Sequence, residues 1–184
     1  MILIKSNIKH YLTASYIFFV MFSISCTSSK DDLKDMKTYD GPLIELHDIE
    51  TFYSDSAILR IKLRAPLEYE FQNGDRTFPE GLNLIFYTED EEVSSTLRSN
   101  YGKFDKKTGI YNVTGNVVIK NKLENEQLNC EELNWNPTEQ RIFTDKFVRI
   151  ETPKEILMGE GLDANEDFSR YTILKPTGVF TISQ

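Results

Sequence analysis

The side chains equipped for chemistry are few. Histidine and cysteine each occur twice, and beyond an apolar leader only His47 and Cys130 remain, with Cys26 at the leader's end. A Ser-His-acid set needs an imidazole beside an activated nucleophile, and no Gly-x-Ser-x-Gly elbow accompanies His47. Zinc asks for several His or Cys ligands, more than this chain supplies. The run Glu89-Asp90-Glu91-Glu92 lacks the spaced oxygen ligands of a calcium loop and reads as a solvated turn. Gly159-Glu160-Gly161 lacks the third glycine and the helix start of a dinucleotide loop. Other acids sit in polar turns, with nothing to tune them as acid or base. No catalytic set, cofactor site or metal site can be assembled, so the chain reads as non-enzymatic.

What the chain has instead is alternation. Tyr111, Val113, Val117 and Ile119 share one parity, with Gly115 as the gap, while Asn112, Thr114, Asn116 and Lys120 take the other. Successive strand side chains point to opposite faces, so one face is apolar and the other wet. The alternation restarts at Ile142 and runs through Thr144, Val148 and Ile150. Asp105-Lys106-Lys107-Thr108-Gly109 and Asn136-Pro137-Thr138-Glu139 supply turn chemistry around these strands. Leu128-Asn-Cys-Glu-Glu-Leu133 matches Leu157-Met-Gly-Glu-Gly-Leu162, so strand, turn and strand recur at an offset of about 30 residues, the mark of stacked units sharing one core. Leu133 and Trp135 fall on the opposite parity from Leu128 and Cys130, which predicts a bulge near Glu131 and Glu132.

Upstream, Ala57 to Leu63 reads as a strand broken by Pro66. Asn73-Gly74 marks a hairpin after Leu67, Tyr69 and Phe71, and Leu82 to Tyr87 forms the next strand. Near the end, Tyr171 to Leu174 and Val179 to Ile182 read as strands around a Lys175-Pro176-Thr177-Gly178 turn. No stretch keeps helical spacing, so the fold is read as all-β.

The chain's beginning reads differently. Lys5 and Lys9 precede an apolar run over residues 11–25, shorter than the about 20 apolar residues a bilayer core requires. A basic start, a short apolar stretch and small residues describe a secretory signal. Its end, Ser23-Ile24-Ser25-Cys26, resembles a lipobox, with Ser23 in place of the usual leucine; Cys26 would carry the lipid. The polar residues after it read as a flexible tether. The expected organisation is a signal peptide at 1–25, a lipidated tether at 26–40 and a β domain at 41–184. Removing Lys5 and Lys9 turns 21 basic against 29 acidic residues into 19 against 29, a net charge of −10. Such a surface disfavours nucleic acid and passive binding to anionic membrane, leaving the lipid as the anchor. With Cys26 lipidated, Cys130 has no partner and packs as a small hydrophobe.

The pieces Tyr101 to Gly109, Gly115 to Val117, Leu128 to Trp135, Thr144-Asp145 to Val148 and Gly159-Glu-Gly-Leu-Asp-Ala164 resemble the LptC family of lipopolysaccharide-export proteins, from about residue 48 to the C-terminus. LptA and the soluble part of LptD share its fold. The resemblance implies an open β-jellyroll, or β-taco, of stacked antiparallel strands whose inner faces line a groove for acyl chains. Here that lining would come from Tyr111, Val113, Val117, Ile119, Leu133, Trp135, Ile142, Val148, Ile150, Leu162 and Phe180. It also implies no cofactor and a position on the periplasmic side of the inner membrane. The implied partners are lipopolysaccharide, the LptF/LptG membrane subunits of the export ABC transporter and an LptA-like bridge. Val179, Phe180, Thr181 and Ile182 would form the edge that meets the bridge by strand addition. A second reading, a surface-exported β-sandwich lipoprotein with an adhesive or glycan-binding role, draws on Lys30-Asp31-Asp32, which resembles a surface-export signal.

Overall fold

The computed structural model describes residues 39–178. They form eleven strands and, among the described residues, no helix: β1 (Ile44–Asp55), β2 (Ile58–Glu70), β3 (Arg76–Phe78), β4 (Leu82–Tyr87), β5 (Val93–Ser99), β6 (Tyr101–Asp105), β7 (Ile110–Asn121), β8 (Glu126–Asn136), β9 (Arg141–Glu151), β10 (Ile156–Asn165) and β11 (Tyr171–Thr177). All belong to one antiparallel sheet. The turns follow local chemistry. Asp105 Oδ1 accepts from Thr108 N, and Gly109 takes φ 72. Asn136 Oδ1 accepts from Thr138 N and Glu139 N, and Gly74 N closes the Asn73-Gly74 turn onto Phe71 O. Each is a position where a side-chain oxygen or a glycine satisfies a tight reversal.

Two pairs split each neighbouring row. β4 and β3 pair with successive parts of β2, while β5 and β6 pair with successive parts of β7. Between the halves every row carries an irregularity in line with its neighbours. Asp48 takes φ 50 opposite Pro66, Gly81 takes φ 84, Asn100 N donates to Gly115 O, and registers shift at 114/117, 130/134 and 160/162. At Gly81 a Cβ would lie 2.2 Å from Ser99 O, so neither the backbone nor the space admits a side chain. Such bulges bend a strand and raise its twist.

The line is a fold line. Through Ser95, Phe86 registers with Asn121 at one end of β7, whereas Trp135 registers with Tyr111 at the other. Roughly 30 Å of extended strand separates those ends, yet the Phe86 and Trp135 rings lie 6.1 Å apart. The sheet therefore doubles over, and residues from both halves share one core. The result is a β-jellyroll of taco form, with β1 and β11 as its two edges.

Two sequence expectations are corrected. Pro66 does not break the strand; it lies within β2 at the fold line. There the β4 pairing has ended at Arg64, the β3 pairing has not begun, and the β1 register passes over Asp48. A proline is tolerated where the ladder asks for no N–H. Residues Lys175 to Thr177 are not a turn but continue β11 along β10, with Pro176 opposite Gly159; Gly178, φ 137, follows as a bend. The edge position makes that proline acceptable. The bulge expected near Glu131 and Glu132 is present as the shift between Cys130 and Asn134, and it turns both Cys130 and Leu133 inward.

Candidate functional site

The inner wall is built of registered columns. Tyr111, Trp135, Ile142 and Ala164 stand opposite one another across β7 to β10. Val117, Cys130, Val148 and Gly159 form a second column, and Ile119, Leu128, Ile150 and Leu157 a third. Every expected lining residue among the described ones is inside: Tyr111, Val113, Val117, Ile119, Leu133, Trp135, Ile142, Val148, Ile150 and Leu162 are all buried. Phe180 and the edge Val179, Phe180, Thr181 and Ile182 lie outside the described residues, as do Cys26 and Lys30-Asp31-Asp32. Burial raises the Cys130 thiol to about 12, with Glu131 and Glu132 adding, so the sulfur is an inert part of the wall.

A polar network enters this apolar interior. Tyr111 Oη lies 2.7 Å from Tyr53 Oη and accepts from Arg76 Nη2 at 2.7 Å. Arg76 stacks 4.4 Å from the Phe104 ring centroid and lies 3.7 Å from the buried Glu68 carboxylate. Burial, with Tyr53 adding, pushes the Tyr111 phenol far above its ordinary value despite Arg76. The network joins β1, β2, β3 and β7, and so ties the two halves of the doubled sheet together. Tyr111→Phe takes one partner each from the half-buried Tyr53 and Arg76, at a cost of about 1–3 kcal/mol. The expected result is a lower urea midpoint with an unchanged slope.

Glu166, in the β10–β11 loop, accepts the Trp135 indole N–H at 3.0 Å. Burial raises its carboxyl, Asp167 adds to the rise, and the indole bond opposes it. A raised carboxyl holds its proton more tightly folded than unfolded. Stability therefore declines as pH climbs from the ordinary carboxylate value of 4.5 through the folded value. Glu166→Gln, which keeps an oxygen for the indole, is expected to stabilise the domain at neutral pH. Its advantage over wild type in urea midpoint should shrink as pH is lowered towards 4.5.

His47 stands on the exposed part of β1, 2.9 Å from Glu45, away from the interior. Among the described residues no cluster of three or more His, Cys, Asp or Glu is placed to hold a metal. Sequence reasoning missed Tyr53, Arg76 and Phe168. Tyr53 and Arg76 meet Tyr111 from strands far off in sequence, and Phe168 sits among polar loop residues with no periodicity around it.

The described residues thus enclose one apolar interior between the two halves of a doubled sheet that ends in two edge strands. Residues 12–179 match the family described as lipopolysaccharide-assembly, LptC-related. The chain belongs to that family. It is accordingly a component of lipopolysaccharide transport, and LptC proteins are non-catalytic and associated with the periplasmic side of the inner membrane. A search of curated proteins found no match. In LptC terms, the alternation around Val113 and Val117 is the inner wall of the jellyroll, and the two halves of the doubled sheet are its jaws.

Proposed function

We propose that this LptC protein carries the acyl chains of lipopolysaccharide between its jaws. It takes them from the LptF/LptG membrane subunits at one edge and passes them to an LptA-like bridge at the other. Cys26, lipidated, would hold the domain at the inner membrane through the tether. The observation that carries this reading is one continuous apolar interior bounded by two edge strands, β1 and β11. An edge strand offers unpaired backbone groups for strand addition. In sequence, Val179, Phe180, Thr181 and Ile182, the segment assigned to the bridge, follow β11 and Gly178. On β1, the exposed Ile44, Leu46 and Phe52 offer an apolar edge to the membrane subunits.

Energetically, each buried methylene contributes about 0.8 kcal/mol. The gross affinity for several chains is large, and release depends on a neighbour that presents a similar interior. Because the wall residues are closed off from solvent, entry requires the jaws to part, at the expense of contacts such as Phe86 with Trp135.

Trp135 is the single tryptophan of the chain and is fully buried in the wall. Lipopolysaccharide bearing brominated acyl chains is expected to quench its fluorescence on addition to the purified full chain in detergent. Non-brominated lipopolysaccharide should compete the quenching away. Full fluorescence at saturating brominated lipid would exclude the interior as the carrier.

A further inference from the structure

Several independent features meet at one end of the interior. Phe168, from the loop between β10 and β11, is fully buried in the shared core and stacks on Tyr171 at 4.8 Å. Its backbone sits at φ 58, a conformation an aromatic residue adopts only under strain. Its carbonyl oxygen accepts from Asn121 Nδ2 at 3.0 Å, so a loop from one jaw is fastened to the strand end of the other. Asn121 is itself buried, and its Oδ1 accepts from Leu123 N and Glu124 N.

Beside Asn121 stand buried hydroxyls without a partner among the described residues. Ser95 registers directly opposite Asn121 and shares its face with the core residue Leu97. Ser94 is the extra residue where the β4–β5 register shifts. Both are buried, and among the described residues neither Oγ has a hydrogen-bond partner; the same holds for Ser99, further along the same strand. A buried hydroxyl without a partner is unfavourable, and native interiors seldom keep one. Strain and unmet hydrogen bonding thus coincide where Phe168 closes the interior.

We propose that this place is an acyl-linkage site. When lipid enters, Phe168 swings out with its loop, a hydrocarbon chain takes the volume of its ring, and the carbonyl of the ester or amide at the chain's root accepts hydrogen bonds from Ser95 and Ser94. The proposal rests on the lipid-carrier reading and adds to it the group that is recognised. The chemistry is that of the position: donors at the mouth, apolar wall beyond. A carbonyl next to the first methylene satisfies both, whereas an ether oxygen is a weaker acceptor. The loop is suited to move as a unit on the end of β10, because Asn165, the last residue of that strand, binds both its Ser169 and its Arg170. Among the described residues its ties beyond β10 and β11 include the Phe168 ring, the Asn121 bond, Glu166 N to Gln140 O and the Glu166 bond to Trp135.

The test uses a synthetic acylated disaccharide, brominated in mid-chain, in an ester-linked form and an ether-linked form of equal chain length. Trp135 quenching in the full chain reports binding. Wild type is expected to prefer the ester form by roughly three- to tenfold. The double variant Ser94→Ala, Ser95→Ala is expected to lose that preference, bind the ether form as before and be at least as stable as wild type. Phe168→Ala is expected to bind both forms more tightly. An ester-to-ether ratio that the double variant leaves unchanged would overturn the site, as would a double variant less stable than wild type, since its hydroxyls would then already be satisfied. If neither form nor lipopolysaccharide quenches Trp135 in wild type, the carrier reading fails first, and the site with it.

Discussion

Trp135→Ala is expected to cost the domain about 3–5 kcal/mol, the largest loss from any single side chain. The indole is fully buried and meets three rings: Tyr111 at 4.8 Å, and Tyr53 and Phe86 at 6.1 Å each. Two of those three, Tyr53 and Phe86, come from the opposite jaw. Removing the indole opens a cavity at the seam of the doubled sheet, where neither wall can collapse without parting from its own ladder. It also deprives the half-buried Glu166 carboxylate of its partner, the indole N–H. Against a total of about 5–15 kcal/mol for a typical domain, the midpoint temperature should drop by roughly 10–20 °C. Circular dichroism is the probe, since the variant has no tryptophan. Trp135→Phe should recover much of the ring packing and still show the unpaired carboxylate.

The second large effect is at Gly159. It lies between Val148 on β9 and Pro176 on β11. A Cβ there would stand 2.4 Å from Lys175 O, 2.5 Å from Ile173 Cγ2 and 2.8 Å from Pro176 Cα. Two of those are backbone atoms, which cannot step aside as a side-chain tip can. Gly159→Val is therefore expected to prise β11 from β10 while leaving β7, β8 and β9 paired. The global cost is about 1–3 kcal/mol, but the local one is complete. Hydrogen exchange in β11 should lose its protection, and exchange in β7 to β9 should stay slow. Because β11 leads into the edge assigned to the bridge, bridge binding should fall by at least about tenfold, or 1.4 kcal/mol, with Trp135 quenching by lipid retained. Unchanged protection in β11 would show that the strand accommodates the side chain.

Local patterns were legible in the sequence and long-range coincidences were not. The parity of Tyr111, Val113, Val117 and Ile119 predicted a buried face, and the parity break at Leu133 predicted the bulge, because both depend only on neighbours along one strand. The fold line was not legible. Gly81, Asn100, Gly115 and Gly161 are unremarkable one by one and become a crease only when the ladder brings them into line. Pro66 misled for the same reason: its tolerance depends on which neighbours have stopped pairing at that height. The Tyr53, Arg76 and Tyr111 network required knowing that the sheet doubles over, which sets β1 against β7. Phe168 and the unpaired serines gave no signal at all, since a lone aromatic in a polar loop and three serines in a strand are commonplace.

The most direct measurement is photo-crosslinking in cells from a photoreactive residue at position 117, with position 118 as control. Val117 is fully buried on the inner wall, and Val118 faces the other way on the same strand. The carrier account predicts a lipopolysaccharide adduct from position 117 and none from position 118. Adducts from both positions, or from neither while the variants remain folded, would contradict it.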